Sequence, residues 1–193
     1  YQFVLAEELV LRDVLRQVLA ELEAAKKQSV PLNKSLQAMA RKRARRGRPI
    51  GEANDKRLDA MHEHLTTAEA SLRKMAGQLD ESTYAGVAEK LAAIAEEHVL
   101  QADSVSSQIR IVDHPKQRAD LADESDFQID RAIGRVREML KELGELTELI
   151  REAQEMEKLA ETQEDLVEQL EARVDPNDYV DLGKVEPMSE EEW

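Results

Sequence analysis

Leu58, Met61, Leu65, Ala68, Leu72, Met75 and Leu79 alternate at spacings of three and four residues. Apolar groups at this period suit a helix that buries a narrow seam against other helices and suit a strand poorly, since strand faces alternate every two residues. The same alternation recurs on both sides of this stretch, so most of the polypeptide is committed to helix-on-helix packing. Only Ile109, Ile111 and Val112 form a β-branched cluster, and they stand at the end of a helical pattern just ahead of Pro115, where a fraying helix end is expected. One Trp, three Tyr and two Phe in 193 residues leave the core to Leu, Ile, Val, Met and Ala. Such a core favours slender bundles over a globule with a deep pocket.

Four helices are expected. The first runs from about Gln2 to Gln28, where Val4, Leu5, Leu9, Leu11, Val14, Leu15, Val18, Leu19 and Leu22 cover a face wide enough for two neighbours. Ser29-Val30-Pro31 then predicts a kink or break, since proline lacks a donor and restricts the residue before it. Leu32, Leu36 and Met39 resume a weaker stripe. The second helix starts between Glu52 and Asp55, capped by Asn54 or Asp55, and ends near Leu79. Asp80-Glu81-Ser82 is short enough to send the third helix back antiparallel. Its stripe is Tyr84, Val87, Leu91, Ile94, Val105 and Ile109, with a drift in period near His98.

The last helix begins between Ala119 and Ser125 and is the longest. Ile129, Ile133, Val136, Leu140, Leu143, Thr147 and Ile150 keep its period, and the stripe then shifts to Ala153, Met156, Ala160, Gln163, Val167, Leu170 and Val174, with Leu159 and Leu166 beside it. About fifty residues at 1.5 Å each outrun neighbours of under thirty, so this helix must overhang, bend or pack on the first helix. The fold class that follows is all-α: an elongated antiparallel bundle of about four helices with a long coiled-coil-like final helix. The bundle with its projecting helix occupies residues 1–174, and an acidic disordered tail occupies 175–193.

Charge and composition narrow the function. A net charge of −14 repels phosphate and argues against general nucleic-acid binding. Without cysteine there is neither a disulfide framework nor thiolate chemistry, and the compartment stays open. The most apolar stretch, Tyr1 to Leu22, is interrupted by six charges, so it does not span a membrane. The chain opens at Tyr1 without an initiator Met, which reads as a piece of a longer protein; any membrane contact is expected through segments outside it.

The basic run from Arg41 to Arg48 is chemically unlike the rest, and without its six cations the chain carries −20. Arg46-Gly47-Arg48-Pro49 resembles the Arg-Gly-Arg-Pro core of the AT-hook, which implies a minor-groove contact through Arg43, Arg45, Arg46 and Arg48. The alternative is a solvated loop whose cations answer an acidic helix of the same molecule or of a partner. Di-metal bundles need paired Glu-x-x-His units, yet Asp59 precedes His62 at that spacing and Ala95 precedes His98. His62 and His64 are two apart and point to different sides of a helix. His98 is expected to be a partly buried group bonded to Glu97 or to a carboxylate of a facing helix. Met39, Met61, Met75, Met139 and Met156 fall on or near apolar stripes as gap-filling side chains.

No Gly-rich phosphate loop or nucleophile elbow appears in the sequence. The reading is therefore of a chain with no catalytic residue, cofactor or metal, acting as an interaction or spacing module of a larger protein. A protein partner or a second copy is expected on the final helix, at Met156, Gln163, Val167, Leu170 and Val174, with Gln163 restricting the register. Leu159-Ala160-Glu161-Thr162-Gln163-Glu164-Asp165-Leu166-Val167-Glu168-Gln169-Leu170 resembles the Leu/Gln/Glu-rich helical arrays of large membrane-anchored bacterial proteins of the planctomycete type. The resemblance implies an extracytoplasmic spacer in the cell envelope.

Overall fold

The computed structural model describes residues 2–41, 49–80 and 84–171. Among these residues there are helices and no strand: α1 (Gln2–Arg41), α2 (Glu52–Leu79), α3 (Ala85–Ala93), α4 (Leu100–Ile111) and α5 (Pro115–Glu171). A π-helical turn at Ile94–Val99 joins α3 to α4, so the two act as one member of the bundle. The chain divides into two compact units, residues 1–145 and 146–193.

Polar pairs between helices fix who neighbours whom within the first unit, and in which direction. His64 Nδ1 lies 2.7 Å from Glu21 Oε2, and Asn54 Nδ2 donates to Ser35 Oγ at 3.0 Å, so α2 descends as α1 ascends. Arg110 reaches Asp55 and Asp59, while Arg73 reaches Glu96 at the other end, which runs α3–α4 antiparallel to α2. Ser125 Oγ donates to the Ala102 carbonyl at 3.0 Å and Lys90 pairs with Glu142 at 2.8 Å, so α5 reverses again. Asn33 Nδ2 donates to Asp123 at 2.6 Å and Arg137 pairs with Glu23 at 2.8 Å, closing α5 onto α1. The result is a four-membered up-down-up-down bundle.

Its core follows from the seams. All seven heptad residues of α2, from Leu58 to Leu79, are at most 6% exposed. They meet Leu11, Leu15, Val18, Leu22, Leu32 and Leu36 of α1 in one continuous apolar cluster with α3–α4 and the first part of α5. Burying each large aliphatic side chain is worth about 1.5–3 kcal/mol. Asn54, Ser29, Ser106 and Ser125 are buried as well, each with a hydrogen bond: Asn54 accepts from Arg57, Ser29 donates to Asp126, and Ser106 donates to the Asp103 carbonyl. These bonds offset the cost of desolvating the polar groups.

Four local expectations are corrected. Of the two outcomes expected at Pro31 the break does not occur, and α1 does not end at Gln28: the helix runs through the proline to Arg41. An interior proline costs about 3 kcal/mol, but Leu32 and Leu36 beyond it are 1% exposed, and packing of two such residues outweighs the defect. Pro115 opens α5 several residues before the expected start, because the first helical position has no partner for the missing N–H. Neither Asn54 nor Asp55 caps α2; Gly51 does, at φ 90°, and its carbonyl accepts from the Asn54 and Asp55 amides. The stripe of the third member passes through Val99, Ala102, Ser106 and Ile109, leaving Val105 half-buried. The π-helical turn adds one residue, which carries Val105 off the seam and brings Ser106 onto it.

Candidate interaction surface

Beyond Glu145 the face of α5 changes character. Leu146, Leu149, Ala153, Met156, Ala160, Gln163, Val167 and Leu170 keep the alternating three-and-four spacing, as the buried seam of α2 does. The outcome is opposite. Leu149 is 62% exposed, Met156 72%, Leu159 64%, Leu166 52%, Val167 52% and Leu170 63%. Met156, Gln163, Val167 and Leu170 are thus brought to one exposed face, and Met156 is no gap-filler of the bundle core, unlike Met61, Met75 and Met139. Leu146 and Leu149 belong to the same face, whereas Thr147 and Ile150, which continue the preceding stripe from Leu143, are half-buried. Counting back from Ala153 by four and then three would have found Leu149 and Leu146.

Val174 lies outside the described residues, as do Arg43, Arg45, Arg46, Arg48 and the tail 175–193.

Around this face the ionic side chains are dense. Between Leu146 and Leu170 stand eight carboxylates and two cations, Arg151 and Lys158. Glu157 and Glu164 follow Met156 and Gln163 by one residue, on one flank of the apolar stripe. Leu159 and Leu166 precede Ala160 and Val167 by one residue, on the other. All four are exposed.

The first unit holds a different kind of polar chemistry. Lys26 sits 24% exposed between Asp126 at 2.8 Å and Asp130 at 2.7 Å, and Asp126 also accepts from Ser29 Oγ at 2.6 Å. Burial by itself would lower the Lys26 pKa, but the hydrogen bonds and attraction of the two aspartates together prevail and hold it above the usual lysine value. This ladder on α1 and α5 was missed in the sequence. Its signal was there, since Asp123, Asp126 and Asp130 share one helical face. Arg110 is likewise raised, chiefly by its hydrogen bond to Asp59.

His62 and His64 turn to opposite neighbours, Asp103 of α4 and Glu21 of α1. His98 is half-buried in the π-helical turn, where its Nδ1 lies 3.0 Å from Gln128 Oε1. The expected partner is corrected from a carboxylate to this amide. The added residue of the π turn rotates His98 off the seam towards α5. A cleft of about 200 Å³ beside it is lined by Lys90, Ile94, Glu97, His98, Arg135 and Glu138, among others. Lys90 is engaged by Glu142 and Arg135 by Glu138. Among the described residues there is no group of three His, Asp or Glu able to hold a metal ion, and no helix long and apolar enough to cross a membrane. No protein-family model, curated protein or solved structure matches the chain.

Proposed function

We propose that the chain is a non-enzymatic interaction or spacing module that works through helix–helix packing, and that it docks a partner along α5 from Leu146 to Leu170. The observation carrying this reading is the contrast between two stripes of the same spacing: α2 residues at 0–6% exposure, the large apolar residues of α5 at 39–72%. Large apolar side chains spaced for a seam and left in water gain about 1.5–3 kcal/mol each when covered, against the entropic cost of association. Contiguous apolar faces of this kind mark interaction sites. Gln163 sits within the stripe, where one polar group favours a partner able to hydrogen-bond at that level and so restricts the register.

The test replaces Val167 and Leu170 together by Lys. A docking face tolerates this: helicity and thermal unfolding of the isolated chain stay close to wild type, within about 0.5 kcal/mol as for other surface substitutions. If the double variant instead unfolds as a core variant does, losing several kcal/mol, the stripe belongs to the molecule's own interior and the docking reading is wrong.

A further inference from the structure

Resting on that reading of α5, we infer that its partner is a cationic amphipathic helix and not a second copy of this chain. The two flanks of the stripe decide it. One carries Ile150, Glu157 and Glu164, the other Glu152, Leu159 and Leu166, and eight carboxylates stand against two cations over the whole segment. In an antiparallel pair of identical helices each flank meets its own counterpart, so Glu157 and Glu164 would face the same carboxylates of the other copy. In a parallel pair each flank meets the opposite one five residues on, which sets Glu164 beside Leu159 and Glu157 against Glu152 of the other copy. Neither arrangement satisfies the charge. A helix with an apolar stripe and Lys or Arg at its flanks satisfies it in either orientation: the ammonium or guanidinium groups pair with Glu157 and Glu164, and the aliphatic stems of these side chains cover Leu159 and Leu166.

The experiment titrates the full chain with two designed peptides of about four heptads, identical in an Ile/Leu seam and differing only in having Lys or Glu at both flanks. The Lys peptide is expected to bind at least about tenfold tighter, with a preference that shrinks as salt is raised. Exchanging both Glu157→Lys and Glu164→Lys should reverse the preference. Val167→Lys with Leu170→Lys should abolish binding of both peptides. Equal binding of the two peptides, or a preference that the charge exchange leaves unmoved, overturns the cationic partner while leaving the docking face in place. Sedimentation that shows the chain self-associating through α5, with no peptide bound, identifies a second copy and also overturns it. No peptide binding and no self-association would remove the docking face itself.

Discussion

Deleting Glu97 is expected to leave the bundle folded, although removing one residue from a helix ordinarily destroys its register. Each residue turns an α-helix by about 100°, so a deletion swings everything downstream away from its neighbours. In the third member, however, the seam set by Tyr84, Val87, Leu91 and Ile94 would continue in strict heptads to positions 98, 101, 105 and 108, whereas Val99, Ala102, Ser106 and Ile109 are the buried residues. The π-helical turn at Ile94–Val99 supplies the one-residue difference. Removing the exposed Glu97 lets this turn relax to α-helix and sets Val99, Ala102, Ser106 and Ile109 on the positions they need. The expected change in stability is about 1 kcal/mol in either direction, the scale of one rearranged hydrogen bond. The control is deletion of exposed Thr66 in α2, which rotates Leu72, Met75 and Leu79 out of the core. At about 1.5–3 kcal/mol each, that loss approaches the whole stability of a typical domain. Urea unfolding followed by circular dichroism compares the two. Equal damage from both deletions would refute the register argument.

Further outcomes can be checked in the same way. Lys26→Met should cost about 1–2 kcal/mol at neutral pH, as expected for a partly buried ion pair. Because the folded pKa of Lys26 is raised, its contribution is fully present below the ordinary lysine value and is lost as pH rises through the folded one; the variant should therefore lose less stability than wild type on alkaline titration. Leu65→Ala, at a position of 0% exposure, should cost about 2–5 kcal/mol in chemical unfolding. Gly51→Ala should cost about 1–3 kcal/mol although no atom would touch the new methyl, because φ 90° is strained for any other residue. Gly77→Ala and Gly134→Ala, in helical backbone with open space around them, should gain about 0.5–1 kcal/mol each by thermal melting.

The seam of α2 was legible from its residues alone because burial there depends on a single period, and nothing in Leu58 to Leu79 disturbs it. The drift at His98 was visible, but its resolution by a π-helical turn was not: whether a helix absorbs one extra residue or lets Val105 stay on the seam depends on what α5 and α2 offer opposite. Pro31 misled for a similar reason. A local rule weighs the lost hydrogen bond, while the burial of Leu32 and Leu36 is settled by helices far away in sequence. Asp123, Asp126 and Asp130 read as a solvated face until α1 is seen to bring Lys26, Ser29, Asn33 and Gln37 against them. At the candidate surface, Met156, Val167 and Leu170 were legible by spacing, whereas spacing alone does not tell an exposed stripe from a buried one such as that of α2.

The edge between α1 and α5 joins residues separated by 86 to 114 positions, as in Gln37 with Asp123 and Arg137 with Glu23. Contacts between α1 and α2, or α2 and α4, span 19 to 55. Consecutive hairpins can zip up locally, but this edge must wait until the ends of the bundle have been gathered, since distant ends lose more freedom on meeting. It is also the edge laced with ammonium, amide and carboxylate groups that water solvates readily. Native-state hydrogen exchange should therefore find the bundle breathing there first, with the amides of α1 around Lys26 to Gln37 exchanging ahead of those beneath Leu65.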